Sequence, residues 1–230
     1  MSQTKTWNDS WMIFPGMWVY KGVFKKELDI INRVENFLKN NKIGDEWAEA
    51  TVGYHQKLSN YRDCVDFKLG EIKNPKNEDE LILSNIWNDA YRAQLGPVYD
   101  YCSRYNVQMN YWELMNFIKY NPGQHFKEHA DDGFSYRSTV SLVGYVNSDY
   151  TGGGLYFPKL DIKIQPEAGD LYIFPSTYLF SHVALPVESG TKYSLVTMLD
   201  YNNHSHNQEF YQMRQRMVER ENAQGQSIYN

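Results

Sequence analysis

Between Lys25 and Asn40 the apolar positions Leu28, Ile31, Val34 and Leu38 recur at steps of three and four with charges between them, the spacing that lines one helical face. The stretch "NNKIG" then stops the helix. A second helical pattern starts near Asn77, with Ile82, Ile86, Ala90 and Ala93 as its stripe, and Gly96–Pro97 predicts its kink or its end. From Val107 the period changes. "YWELMNFIKY", "STVSLVGYV", "GLYF", "DIKI", "DLYIF" and "KYSLVTMLDY" are short, rich in β-branched and aromatic residues, and bounded by Gly, Pro, Asn or Asp, which predicts strands. Helices first and many closely spaced strands after predict an antiparallel sandwich or barrel with the early helices covering one face. Residues 202–230 turn polar, and Phe210, Met213 and Met217 predict one short amphipathic helix in a peripheral segment.

Length and composition narrow this picture. A chain of 230 residues, 16% aromatic and without repeat or linker, is expected to form a single domain over residues 1–230. Within it, 1–106 would give helical support and first strands, 107–201 the β core, and 202–230 the peripheral segment. The net charge of -5, from 23 basic and 28 acidic residues without a block of either sign, argues against nucleic acid and anionic membrane as partners. The apolar stretch "WMIFPGMWVY" is interrupted by Pro15 and Gly16 and lacks a basic flank, so neither a secretory signal nor a membrane span is expected, and the expected location is cytoplasmic. Cys64 and Cys102 form no C-x-x-C and are expected as buried thiols, not a bridge.

The chemistry search starts from the six histidines, because imidazole is the commonest metal ligand. Only His129 has an acid two residues on. In an extended segment residues i and i+2 share a side, so His129 and Asp131 can face one ion while Ala130 and Asp132 point elsewhere. By chance alone roughly 0.7 such H-x-[DE] pairs are expected in a chain of this composition, so the spacing is weak by itself. His125, Glu128 and His129 also spell H-x-x-E-H, but that zinc signature needs a helix, and Pro122, Gly123 and Gly133 leave too little chain for one.

Downstream, His182 ends the strand after "DLYIFPSTY", "PVESG" supplies a turn, and Lys192 opens the last apolar strand; a hairpin would bring His182 and Lys192 together in one sheet. Two histidines and one carboxylate with open positions suit a non-haem Fe(II) site, whereas zinc favours a closed tetrahedron. Each residue also has a structural reading: a polar loop pair for His129 and Asp131, a core histidine for His182, a solvated strand end for Lys192. His125 reads as a supporting or exposed residue, and His204 with His206 as a polar turn. The glycines at 152–154 suit a tight turn at positive φ, since no helix follows them to bind a phosphate.

"YNPGQHFKEHAD", "YRSTVSLVGYVNSDYTGGGLYFP", "EAGDLYIFPS" and "HVALPVESGTKYSLV", in that order, give the chain a resemblance over Val107 to Tyr201. It resembles the 2-oxoglutarate and Fe(II)-dependent dioxygenases, and within them the prolyl 4-hydroxylase group. The resemblance implies a mainly β fold, a double-stranded β-helix (jelly roll) core with N-terminal helices packed on one sheet. It implies His129, Asp131 and His182 as iron ligands and Lys192 as the cation for the distal carboxylate of 2-oxoglutarate. Tyr120 would assist that carboxylate, and Arg137 would stand near the substrate. Fe(II), 2-oxoglutarate and O2 are the implied cofactors, with ascorbate as a further candidate. Hydroxylation of an unactivated C–H bond follows, with a prolyl residue of a peptide or protein as the leading substrate and succinate and CO2 as co-products. Leu155, where relatives carry a polar residue after the glycines, departs from the pattern and leaves the substrate open. The rival readings are a free amino acid or small metabolite as substrate, a non-catalytic metal- or sugar-binding jelly roll, or an interaction module that binds neither.

Overall fold

The computed structural model describes residues 7, 9–52, 57–133 and 136–223. Two sheets form its frame. The larger has nine strands, running in order through β1 (Ser10–Phe14), β2 (Met17–Tyr20), β13 (Leu171–Pro175), β9 (Val140–Tyr145), β16 (Lys192–Asp200), β7 (Met115–Tyr120), β5 (Val65–Leu69) and β3 (Ala48–Glu49), with β6 (Tyr111–Trp112) paired to the far end of β16. The smaller has five, β12 (Ile162–Ile164), β11 (Leu155–Phe157), β14 (His182–Ala184), β8 (His125–His129) and β4 (Arg62–Asp63). A short pair, β10 (Thr151–Gly152) with β15 (Val187–Ser189), forms a separate two-stranded sheet. The strand pairs are antiparallel throughout, and the architecture is the expected jelly roll.

The period-2 pattern decides what each strand gives to each side. On β16, Leu195 and Leu199 join the large core under the helices, while Lys192, Ser194, Val196 and Met198 face the space between the sheets. The partner strand β7 alternates likewise, with Met115 and Phe117 in the large core and Asn116, Ile118 and Tyr120 on the inner side. Helices α1 (Ile30–Asn40) and α2 (Glu78–Tyr105) cover the outer face through Val34, Phe37, Ile86, Ala90 and Val98. Each large apolar side chain so buried contributes about 1.5–3 kcal/mol.

The helical expectations are corrected in detail. α1 begins at Ile30, after a 3-10 turn at Lys26–Leu28, and buries Ile30, Val34 and Phe37, so Leu28, Ile31 and Leu38 flank the contact face and do not centre it. In α2 the buried face is Leu83, Ile86, Ala90, Gln94, Val98 and Tyr101, which leaves Ile82 exposed. α2 does not end at Pro97 but runs unbroken through it. A mid-helix proline costs roughly 3 kcal/mol. Here Pro97 is buried, and the turns beyond it are anchored: Tyr20 donates to Asp100 at 2.9 Å, Arg104 pairs with Asp100 at 2.6 Å, and Tyr101 donates to the Gly16 carbonyl at 2.9 Å. At the start, Asn77 caps the Glu80 amide, and Glu78, Asp79 and Glu80 sit at the positive end of the helix dipole.

The predicted C-terminal helix exists as α3 (Gln208–Ala223), with its face reversed. Met213 and Met217 are exposed, and Arg214 is the buried residue, its guanidinium over the Phe210 ring. Cys64 and Cys102 are free thiols, Cys64 buried as expected and Cys102 only half-buried. Among the described residues no helix is long and apolar enough to cross a membrane.

Candidate metal and anion site

His129 closes β8, and His182 opens β14 directly opposite it in the antiparallel register. Asp131 follows two residues after His129, where the chain leaves the strand. Ligand atoms of the three lie within 4.8 Å of one another. The Asp131 carboxylate reaches to 3.6 Å from His129 Nε2 and 3.9 Å from His182 Nε2. Both imidazoles are set the same way: His129 Nδ1 lies 2.8 Å from the Lys127 carbonyl and His182 Nδ1 3.1 Å from the Phe180 carbonyl. A carbonyl only accepts, so Nδ1 carries the proton and Nε2 keeps its lone pair for a metal. Burial, and then the neighbouring His182, hold His129 well below the usual imidazole range, which keeps it neutral. The His129 ring is also clamped by Phe126, stacked at 3.5 Å between centroids, over which the Arg62 guanidinium sits at 4.8 Å.

Asp131 is fixed from β9. Ser141 Oγ donates to Asp131 Oδ2 at 2.6 Å and lies 2.7 Å from Ser176 Oγ, which in turn meets Ser138 Oγ at 2.8 Å. Such support orients a metal ligand, and its loss typically costs 10- to 100-fold in metal affinity. Ser141→Ala is therefore expected to weaken divalent-metal binding by about 10- to 100-fold, read by titration with Mn(II) and its EPR signal; unchanged affinity would remove Ser141 from this role. Nothing in the sequence marked it beyond an inward position in "STVSLVGYV".

Lys192 is 1% exposed. Its Nζ donates to the Gly153 carbonyl at 3.0 Å and lies 4.2 Å from the centroid of Tyr120, its cross-strand partner. Gly153 at φ +63 turns that carbonyl inward, and a side chain there would press on Lys192; Gly152 is also at positive φ, as the turn predicted. No carboxylate pairs with Lys192 among the described residues. Burial alone pushes its ammonium down to about 7. Two imidazoles, one carboxylate and a buried ammonium without an acidic partner among the described residues form a donor set that fits a divalent ion together with a carboxylate-bearing co-ligand.

The hairpin expected between His182 and Lys192 is not formed. β14 belongs to the small sheet and β16 to the large one, because β15 turns aside to pair with β10, so the two residues face each other across the barrel. Both line one cavity of about 570 Å³ with His129, Asp131, Tyr120 and Leu155. A larger cleft, about 660 Å³, between α1 and the start of α2 contains no histidine. The H-x-x-E-H segment is strand, not helix, and His125 lies outside the triad with its ring nitrogen 3.4 Å from the Gly123 carbonyl. His204 and His206 form a 3-10 turn in which His206 pairs with Asp200 at 3.0 Å and stacks on Tyr111. Arg137 pairs with Asp132 at 3.3 Å and does not line the cavity. The wall instead includes Arg62, Glu113, Tyr136 and, from the segment expected to be peripheral, Tyr211.

A family model described as the 2OG-Fe(II) oxygenase superfamily matches residues 115–199, the span that contains all three triad residues and Lys192. A putative prolyl 4-hydroxylase of Acanthamoeba polyphaga mimivirus is 26% identical over 145 residues, 54% of this chain and 58% of that protein. Human procollagen-lysine,2-oxoglutarate 5-dioxygenase 2 is 29% identical over 220 residues, 84% of this chain and 28% of that protein, so the chain spans less than two thirds of either relative. In structure, a Trichoplax adhaerens prolyl hydroxylase in complex with a hypoxia inducible factor peptide fragment superposes with TM-score 0.59 at 14% identity, covering 80% of this chain and 83% of that one. A Pseudomonas putida prolyl-4-hydroxylase gives 0.58 at 18%, covering 80% and 92%. In sequence over residues 115–199, in fold and in its two-histidine, one-aspartate cluster, the chain is similar to the 2OG-Fe(II) oxygenases, prolyl hydroxylases among them.

Proposed function

We infer that this protein is a 2-oxoglutarate-dependent Fe(II) dioxygenase that hydroxylates an unactivated C–H bond, with a residue of a peptide or protein as its substrate. The carrying observation is Lys192, a buried cation without an acidic partner that shares a cavity with His129, Asp131 and His182. Prolyl is the leading residue on the strength of the prolyl hydroxylase relatives.

In this reading His129, Asp131 and His182 hold Fe(II) on one face and leave its other positions open. Bound there, Fe(II) with 2-oxoglutarate and O2 supplies the oxidising power for C–H hydroxylation, with succinate and CO2 as co-products; ascorbate would serve as reductant. The protein's own part is positional. Lys192 anchors the distal carboxylate of 2-oxoglutarate, and Tyr120, whose hydroxyl contacts the Cys64 thiol, offers a second donor. Leu155, Val143 and Ala184 line the walls between and limit water. Arg137, held to Asp132 beside the metal ligand, is the candidate contact to a peptide carbonyl.

Only the charged lysine anchors an anion. With its ammonium depressed to about 7 in the free protein, 2-oxoglutarate affinity is expected to fall about tenfold per pH unit above that value. Binding at pH 8 should then take up a proton, visible as a buffer-dependent calorimetric heat. A flat affinity from pH 6 to 9 would contradict it.

The deciding experiment is anaerobic titration with Fe(II) and then 2-oxoglutarate, followed by admission of O2 with candidate peptides. A metal-to-ligand charge-transfer band and then succinate support the reading. Metal binding without the band would leave a non-catalytic metal-binding jelly roll.

A further inference from the structure

We propose that Glu128 is a positioning residue: stapled to Ser181 and Lys159 on the side of the small sheet away from the cavity, it holds a one-residue bulge of β8 that aims His129 into the triad. The inference rests on the metal reading of the site and concerns how that site is set.

Strict alternation would send His129 the wrong way. In a regular strand, residues three apart face opposite sides. Phe126 and His129 nevertheless both line the cavity and stack at 3.5 Å between ring centroids. The register accounts for this. β14 sets His182 opposite His129 and Ala184 opposite Phe126, so a step of two residues on β14 matches a step of three on β8. One residue of β8 is therefore extra, and Lys127 and Glu128 are both exposed between two partly buried rings. A bulge re-aims the side chain that follows it and interrupts the ladder locally, so the β8–β14 backbone bonds alone do not fix His129.

Side chains supply the missing ties. Ser181 Oγ donates to Glu128 Oε1 at 2.6 Å. Lys159 Nζ, from the 3-10 turn Pro158–Leu160, donates to the same oxygen at 2.8 Å and to Ser181 Oγ at 2.7 Å. From the β4 side, the Tyr61 hydroxyl donates to the Glu128 carbonyl at 2.5 Å, and the Lys127 amide donates to the Tyr61 carbonyl at 2.8 Å. Glu128 precedes His129 and Ser181 precedes His182, so the staple joins the two residues directly behind the two imidazoles. An exposed ion pair is worth only about 0–1 kcal/mol of stability. What this one contributes is the spacing of two metal ligands across a bulged pair of strands, and loss of support behind a ligand typically costs 10- to 100-fold in metal affinity.

The test reads geometry apart from stability. Mn(II) affinity is measured on the full chain by EPR, and electron spin-echo modulation at saturating Mn(II) reports how many imidazoles are bound. Wild type is expected to show two. Glu128→Ala is expected to bind Mn(II) about tenfold more weakly and to lose the modulation of one imidazole, whereas Glu128→Gln, whose amide oxygen still accepts from Ser181, keeps both. Glu167→Ala breaks an exposed pair of the same kind, with Lys21 at 2.6 Å, and is expected to leave Mn(II) binding unchanged. Near-UV circular dichroism checks packing; should Glu128→Ala not be packed, Lys159→Met, which removes one donor of the staple, is expected to show a smaller loss in the same direction. Wild-type affinity with two bound imidazoles in Glu128→Ala or, where that variant is not packed, in Lys159→Met overturns the inference alone, as does an equal loss in Glu128→Gln or in Glu167→Ala. Failure of the wild-type protein to bind Mn(II) overturns the oxygenase reading, and this inference with it.

Discussion

Asp131→Ala is expected to abolish succinate formation while leaving the fold intact. Asp131 brings the only negative charge to the triad, with its two oxygens turned toward His129 and His182. Removing it leaves two imidazoles, and the expected loss is about a thousandfold in metal affinity, about 4 kcal/mol. The fold should not suffer in proportion. Without metal, the Asp131 side chain is a 7% exposed carboxylate beside two imidazole rings, satisfied by Ser141, and burying such a charge is itself unfavourable. The apo variant is thus expected to melt within a few degrees of wild type. Mn(II) EPR, succinate release and a thermal melt check the three parts, and near wild-type turnover would remove Asp131 from the ligand set.

Lys192→Met is expected to raise the 2-oxoglutarate concentration needed for activity by about 30-fold to a few thousandfold, the 2–5 kcal/mol that follows truncation of one partner in a buried charge pair. The effect should fall on KM for 2-oxoglutarate more than on kcat, because the lysine holds the end of the co-substrate remote from the metal. Stability should move the other way. In the folded protein the ammonium is depressed to about 7 from 10.5, so between those values the unfolded chain holds the extra proton, and the free protein gains stability as pH rises through that window. Below pH 7 both states are protonated and the burial cost is fully present. Lys192→Met relieves that cost, so the apo variant should melt higher than wild type, by most at low pH. A variant with unchanged KM, or one less stable at pH 6 than at pH 9 relative to wild type, would contradict the assignment.

How much of this was legible in the chain follows from what periodicity encodes. The switch from steps of three and four to steps of two located α1, α2 and the strands β7, β9, β11, β12, β13 and β16. The i, i+2 spacing of His129 and Asp131 reflects the extended backbone itself, which is why the pair survives in the structure as read. Lys192 and Tyr120 were assigned by the resemblance, and both line the inner side of their strands. The jelly roll and its ligand set came from several ordered motifs together, since the H-x-D spacing alone is weak.

What failed were inferences about neighbours. Pro97 lies within an intact helix because Tyr20, Arg104 and Gly16 anchor its far side through contacts 80 or more residues distant for two of the three. Met213 and Met217 are exposed because the face of α3 that meets the body of the protein carries Arg214 instead. Ser141 gave no local sign, for a hydroxyl acquires its role from what stands within 3 Å of it.

The sequence by itself determined which segments are helix and which are strand and that two imidazoles, a carboxylate and an ammonium were available, because dihedral preference and side-chain period are local. Only the tertiary structure decided that His182 and Lys192 confront each other from opposite sheets. Strand pairing is chosen by burial summed over the whole core, and a hairpin rule, which sees only the turn, does not contain that sum.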